Sequence, residues 1–314
     1  MSGATEEGRR TMPLRLATWH AGAGDRTVIL PHYRGPDVAF GSFHCGPGDV
    51  RWELENPVGE VPHIIFPITP WRLTVGYRDP ALVTRNHVVF LNAHEEFRRR
   101  HFDDDGDHNH FMTLHPQVAE EILHDVTGTP MARFPRAVGR LSSRSFLTAR
   151  LVRRRLEAGA DPLEAEERLL GLAEATVRGA FGGSRRPPGR APGFVEDAKA
   201  LLTGRLAEPL TLPEIGAALN VSVYHLARTF RAHTGYSLHG YRLELRLRLA
   251  ADLAANGAGD LKEVATRAGF SSHSHLTAAF HKVFGVPPSA VRAPRLSSSC
   301  GNVRGADELP ATVT

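Results

Sequence analysis

Thr211-Leu212-Pro213-Glu214-Ile215-Gly216-Ala217-Ala218-Leu219-Asn220-Val221-Ser222 returns 49 residues later as Asp260-Leu261-Lys262-Glu263-Val264-Ala265-Thr266-Arg267-Ala268-Gly269-Phe270-Ser271. Downstream the offset becomes 50, pairing Leu226 with Leu276, Phe230 with Phe280 and Gly235 with Gly285. One residue has therefore been inserted in the second turn. Each copy follows one physical plan. Thr211 with Glu214, and Asp260 with Glu263, have the three-residue spacing of a helix N-terminal capping box. Leu212, Ile215 and Leu219 form one face of a short helix; Leu261, Val264 and Ala268 form its counterpart. Asn220 or Gly269 closes that helix, where a left-handed residue is useful. Ser222 or Ser272 caps a second, amphipathic helix that buries Leu226 and Phe230, or Leu276 and Phe280. Two short helices joined by a tight turn make a helix-turn-helix plan. One copy would describe any helical hairpin; two with matched caps, turn and apolar positions are specific.

Between the copies lies Ser237 to Asn256. Leu243-Glu244-Leu245-Arg246-Leu247-Arg248-Leu249 alternates locally like a strand. The window as a whole is rich in Leu, Arg, Glu and Ala and poor in β-branched residues, which favours helix. Twenty helical residues span roughly 30 Å, close to the roughly 34 Å between successive major-groove turns on one face of DNA. A stiff helix of this length would hold two recognition helices in adjacent grooves.

On these features the segment from Phe194 to Arg292 resembles the DNA-binding domain of AraC/XylS-family transcriptional regulators. The signature stretch is Ala265-Thr266-Arg267-Ala268-Gly269-Phe270-Ser271-Ser272-His273-Ser274-His275-Leu276, followed by Phe280-His281-Lys282-Val283-Phe284-Gly285-Val286-Pro287-Pro288. The first recognition helix, Val223 to Thr234, exposes Tyr224, His225, Ala227, Arg228 and Arg231. The resemblance implies base-edge contacts from Tyr224, Ala227 and Arg228, and from Ser274, Thr277 and Ala278 on the second helix, with His273 beside them. Arg228 would read guanine through a bidentate pair, and Arg231 would meet phosphate. Lys282, with Arg242 and Arg246 on the linking helix, would anchor phosphates. Ala227 and Ala278 depart from the longer polar side chains of many relatives. An alanine offers only methyl contact, so the first helix is expected to carry more of the specificity.

The N-terminal region has a different texture. Val28-Ile29-Leu30, Val38-Ala39-Phe40, His63-Ile64-Ile65-Phe66, Trp71-Arg72-Leu73-Thr74-Val75 and His87-Val88-Val89-Phe90-Leu91 read as strands. Turn signals separate them, Gly46-Pro47-Gly48-Asp49 and Arg78-Asp79-Pro80 being the clearest. Helical spacing takes over from Pro116, over Gln117 to Val126 and Ser142 to Leu156. A third helix is capped by Asp161, with Pro162 at its first position and Glu164 placed for a capping box. Its stripe Leu169, Leu172, Ala173, Val177 and Ala180 would pack either on its own domain or on a second copy.

The expected organisation is thus α+β. Residues 14–182 form a β-rich domain with trailing helices, cupin-like and serving sensing or dimerisation by the same resemblance. Residues 183–193, Gly- and Pro-rich, form a linker. Residues 194–295 form the all-α domain with two helix-turn-helix motifs, and 296–314 a disordered tail. The resemblance implies double-stranded promoter DNA and RNA polymerase as partners, a homodimer, a possible small-molecule effector and an activating role.

Composition agrees. The 314 residues carry a net charge of +4, of which residues 193–295 alone supply 12 Lys/Arg against 8 Asp/Glu. The excess sits on the repeated unit, as phosphate binding requires. Two isolated cysteines, Cys45 and Cys300, exclude a disulfide framework and fit a reducing cytoplasm. The start lacks an apolar signal-peptide core, and no run approaches the 18 apolar residues of a membrane span. Neither a cofactor nor enzymatic activity is expected. The competing chemistry is a metal-binding cupin enzyme fused to a DNA-binding module. Its candidates are His108 and His110 in the run Asp103-Asp104-Asp105-Gly106-Asp107-His108-Asn109-His110, which reads first as a solvated hairpin loop.

Overall fold

The N-terminal apolar runs all become strands in the computed structural model, which describes residues 27–49, 51–52, 54–76, 80–183, 191–257 and 259–292. The strands are β1 (Thr27–Arg34), β2 (Val38–Cys45), β3 (Glu55–Pro57), β4 (His63–Pro67), β5 (Trp71–Val75), β6 (Ala81–Val83), β7 (His87–Leu91), β8 (Glu96–His101), β9 (Asp107–Leu114) and β10 (Val138–Arg140). They make two antiparallel sheets, β1-β2-β9-β4-β7-β10 and β3-β8-β5-β6. The Gly46–Asp49 turn closes with Asp49 N–H donating to the Gly46 carbonyl at 3.1 Å. Part of the expected Arg78-Asp79-Pro80 turn, most of the linker and the tail lie outside the described residues.

Alternation assigns the faces, because successive strand side chains point to opposite sides. Val38, Phe40, Ile64, Phe66, Val88, Phe90, Met112 and Leu114 lie on the six-stranded sheet's helix-covered side. Phe43, Ile65, Val89, Leu91 and Phe111 meet Trp71, Leu73 and Phe97 of the other sheet. With apolar residues required on both faces, the central strands read as near-continuous apolar runs.

Helices α1 (Pro116–Thr127), α2 (Ser143–Glu157) and α3 (Pro162–Phe181) cover the first face. Asp161 caps α3, its carboxylate accepting from Leu163 N and Glu164 N. The expected reciprocal box does not form, because Glu164 turns to Arg155 and Arg168 instead. The α3 stripe is buried against the chain's own helices and sheet, so its apolar face is used within the chain. The reading of residues 103–110 as a loop also needs correction. The turn ends at Gly106, and Asp107, His108, Asn109 and His110 belong to β9, paired with β2. Four consecutive polar residues disguise a strand whose inward Asp107 is neutralised by Arg99, at 3.0 Å.

The C-terminal helices are α4 (Gly193–Gly204), α5 (Leu212–Ala218), α6 (Val223–Thr234), α7 (Leu238–Ala255), α8 (Leu261–Arg267) and α9 (His273–Phe284), followed by a 3-10 turn at Pro288–Val291. Thr211 and Glu214 form the reciprocal capping box; Asp260 caps α8 through Lys262 N and Glu263 N. Asn220 and Gly269 take the left-handed conformation expected of them, with φ of 52° and 78°.

Two apolar cores divide these helices unequally. The first helix-turn-helix closes its own, from Val195, Ala198 and Leu202 through Leu226 and Phe230 to Tyr241 and Leu245. The second shares one with the N-terminal region: Leu247, Ala250, Val264, Leu276 and Phe280 belong to the cluster that contains Phe40, Phe90 and Phe146.

Candidate nucleic-acid interface

Both second helices start on a serine whose hydroxyl accepts from a backbone N–H, Ser222 from His225 and Ser272 from His275. Each is anchored by one Leu and one Phe, both fully buried, and ends on a left-handed glycine. From the third helical residue to the last, α6 and α9 alternate buried and exposed positions identically. The two copies therefore present equivalent outer faces, and a helix N-terminus adds the partial positive charge that favours a phosphate.

On α6, Tyr224 is 75% exposed, and Arg228 and Arg231 stand in solvent. Neither arginine forms an ion pair with a described residue, so both cationic heads are available. His225 leans its ring on Phe194 of α4, with centroids 5.4 Å apart, and Ala227 is half-buried against the first core. On α9, His273, Ser274, Ala278 and Lys282 are exposed and Thr277 is half-buried. His273 Nε2 and the Thr277 hydroxyl lie 3.3 Å apart, one helical turn along the same face. Lys282 has no acidic partner among the described residues.

Arg242 and Arg246, half-buried, bond backbone carbonyls of this chain. Their guanidiniums cap the chain after α4, Arg242 donating to the carbonyls of Arg205 and Leu206 and Arg246 to that of Leu206 at 2.8 Å. Burial lowers both pKa values from the usual arginine range. They fasten α7 to α4, and on the two recognition helices Arg228, Arg231 and Lys282 carry exposed positive charge.

The linking helix α7 spans 18 residues, roughly 27 Å. It is also the most enclosed helix of the repeat. Arg248 is fully buried, donating to Glu244, to the Arg85 carbonyl and to the Leu141 carbonyl, with its guanidinium 4.9 Å from the Phe146 ring centre. Asp252 accepts from Arg85 Nε and Arg150 Nε, both at 2.9 Å. Burial alone would raise its pKa, but the two guanidiniums outweigh that and hold the carboxyl below its ordinary value. These contacts were invisible in the sequence. Tyr241, Glu244, Arg248 and Asp252 recur at helical spacing, while the partners Arg85, Leu141 and Arg150 lie more than a hundred residues earlier.

The space between the two sheets is nearly filled. A cavity of about 20 Å³, lined among others by Phe43, Trp71, Phe97 and Phe111, has room for one water-sized group. His63 Nδ1 donates to the Val61 carbonyl, leaving Nε2 without a hydrogen-bond partner; Asp107 Oδ1 also lacks one. Burial lowers the His63 pKa to about 4. Burial raises that of Asp107 to about 6, against the opposing pull of Arg99.

His108 and His110 lie on the outer side of this sheet, ring centres 6.1 Å apart. His110 Nδ1 is 2.9 Å from the Ser42 hydroxyl, which lies 2.7 Å from His32 Nε2. Among the described residues no group of three His, Cys, Asp or Glu is placed to hold a metal ion. None of the described helices is long and apolar enough to cross a membrane.

Residues 215–294 match the helix-turn-helix domain family. Over 94 residues the chain is 34% identical to the HTH-type transcriptional regulator GbdR of Pseudomonas aeruginosa, covering 30% of this chain and 26% of that protein. Over 108 residues it is 35% identical to the HTH-type transcriptional regulator RipA of Corynebacterium diphtheriae, covering 34% and 31%. The chain thus spans about a quarter to a third of the length of these relatives. Among solved structures, one of ToxT from Vibrio cholerae aligns over 81% of this chain and 97% of its own, at 11% identity and a TM-score of 0.33.

Proposed function

We infer that this protein, whose C-terminal third is a helix-turn-helix domain of the AraC/XylS type, is a sequence-specific transcriptional regulator that sets α6 and α9 into adjacent major grooves of promoter DNA. One observation carries the reading. Two copies of one helix-turn-helix share caps, buried anchors and exposure pattern, and their outer faces hold arginine and lysine heads with no acidic partner among the described residues. Tyr224, Ala227 and Arg228, with Ser274, Thr277 and Ala278, are the base-edge positions; His225 and His273 flank them, and Arg231 and Lys282 meet phosphate. The first helix supplies more discrimination, because Arg228 has no counterpart on the second, where Ala278 stands.

The β-rich region is the effector-sensing part. Its near-filled interior leaves two buried acceptors, His63 Nε2 and Asp107 Oδ1, so an effector entering there would bring an O–H or N–H donor and displace aromatic side chains. Self-association would use the outward Leu151 and Leu163 of α2 and α3, since the α3 stripe is already buried. The protein acts in the cytoplasm, as an activator that recruits RNA polymerase and not as an enzyme.

The test is selection of duplexes from a random pool by the full chain. The expected product holds two half-sites about 10 base pairs apart. Its affinity should fall steeply as salt rises, since each neutralised phosphate releases a counterion. A pool with no enriched sequence, or enrichment of one half-site only, would overturn the reading.

A further inference from the structure

The turn between β6 and β7 is three residues long, and every one of them touches the linking helix. The Thr84 hydroxyl lies 3.1 Å from the Tyr241 hydroxyl. Asn86 Nδ2 donates to the Tyr241 carbonyl at 3.0 Å. Arg85 holds Asp252 through Nε and accepts Arg248 through its carbonyl. One tripeptide thus lies along α7 from residue 241 to residue 252, about three helical turns. These contacts are buried or nearly so, where a hydrogen bond left unmade is costly.

The division of the cores gives this turn its importance. The second helix-turn-helix shares an apolar cluster with the N-terminal region. The first closes a separate cluster. Its ties to the N-terminal region are largely polar: the turn's contacts with Tyr241, Glu196 accepting from Leu82 N–H, the Ser143 hydroxyl donating to Glu244, and Arg140 over the Tyr236 ring, beside which the His87 ring meets that of Tyr241. The two cores meet on α7, where Tyr241 and Leu245 face the first cluster and Leu243, Leu247 and Ala250 face the other. Polar contacts are directional and a two-position change in them is discrete, whereas a shared apolar core moves as a body.

We propose that the β6–β7 turn, Thr84-Arg85-Asn86, positions the first helix-turn-helix against the second, so that the separation of the two recognition helices is set by the N-terminal region and not by the stiffness of α7 alone. Thr84, Arg85 and Asn86 are positioning residues: they act through α7 and touch no DNA. The turn is also the short way out of the sheet interior. Trp71, which lines the cavity, pairs with Val83, and Val83 precedes Thr84. A change at the cavity reaches the helix that separates the two recognition helices through one strand pair and one turn. This proposal rests on the DNA-binding reading above and names the regulation of that interface.

The test uses the full chain with Thr84→Val and Asn86→Ala, singly and together, and two readouts. In the first, spin labels on cysteines replacing Ala232 of α6 and His281 of α9 report the distance between the recognition helices without DNA. The expected result is one narrow distribution in the parent and a broadened or shifted one in the double variant. In the second, affinity is measured for a duplex selected by the parent protein, for each half-site alone, and for duplexes with the half-site separation changed by one base pair. Two linked modules gain affinity through the effective concentration their geometry imposes. The double variant should therefore lose at least tenfold on the two-half-site duplex, keep its half-site affinities, and discriminate less between separations. An unchanged distance distribution in the folded double variant overturns the proposal whatever the DNA result. So does an equal loss on half-sites and the full duplex, which marks a merely structural role. Failure of the parent to select any duplex sinks the DNA-binding reading and leaves the distance measurement to decide the turn's positioning of the helices.

Discussion

Replacing Asp252 with Ala removes a carboxylate that faces two guanidiniums at the seam between α7 and the N-terminal region. Arg150 suffers most. Its side chain is 3% exposed, and its Nη1 and Nη2 already lack hydrogen-bond partners, so Nε to Asp252 is its one ion pair among the described residues. It also lies against Phe146, whose ring centre is 3.8 Å away, and cannot swing out to water without unpacking that ring. Arg85, at 16% exposure, can recover some hydration. Removing one partner of a buried pair and leaving the other charge inside costs roughly 3–5 kcal/mol. With Arg85 partly relieved, the expected loss is about 4 kcal/mol, a fall of roughly 6 °C in Tm at an unfolding entropy of about 2.1 cal/mol/K per residue. Asp252→Asn keeps one acceptor oxygen and loses the charge, so its cost should be nearer 2 kcal/mol, on the scale of a charge-assisted hydrogen bond. The assay is urea unfolding of the full chain followed by circular dichroism, on Asp252→Ala, Arg150→Met and the double variant. The double variant should recover at least ~2 kcal/mol relative to the sum of the singles, because neither charge is then stranded. The depressed Asp252 pKa adds a pH signature. The stabilisation is present above the unfolded-state value near 4 and lost as pH falls through the lower folded-state value, so the gap between parent and Asp252→Asn should close in that acid range. A loss under 1 kcal/mol for Asp252→Ala, or strict additivity in the cycle, refutes the reasoning.

Three other expectations are independent of that seam. His63 has its pKa lowered to about 4, so the unfolded chain takes up its proton near pH 6.5 and the native chain does not; stability is present above 6.5 and declines by roughly 3 kcal/mol as pH falls to 4. Asp107, raised to about 6, acts in the opposite sense below that pH, so the parent should be compared with His63→Gln, whose acid slope should be shallower. Arg228→Ala should relax the preference at one base pair, by roughly 1–3 kcal/mol, whereas Lys282→Ala should weaken all duplexes alike and reduce the salt slope by about one; equilibrium binding to single-substitution duplexes separates the two. Gly269→Ala forces a side chain onto a φ of 78° and places its Cβ 2.9 Å from the backbone Cα of Ala207, so thermal unfolding should show a loss above 1 kcal/mol.

What the amino-acid sequence determined by itself was local and repeated. Caps, helix-closing residues and apolar spacing are short-range signals, and the 49-residue repeat doubled each of them, so α5, α6, α8 and α9 were legible to within a residue or two and their outward faces with them. Strand runs were legible where apolar residues face both ways, as in β4 and β7, and hidden in β9, where Asp107-His108-Asn109-His110 find partners only in the folded sheet. The contacts that the chain alone did not show share a cause. Arg242, Arg246, Arg248 and Asp252 are charged residues on a helix, and nothing in the chain alone tells which of them meet protein groups. Their partners are Leu206, Arg85, Leu141 and Arg150, at distances along the chain that no local pattern encodes. The stiff linking helix was thus a property of its own residues. The separation it enforces is decided by tertiary structure, because a buried charge must be met by specific partners and only the folded N-terminal region supplies them.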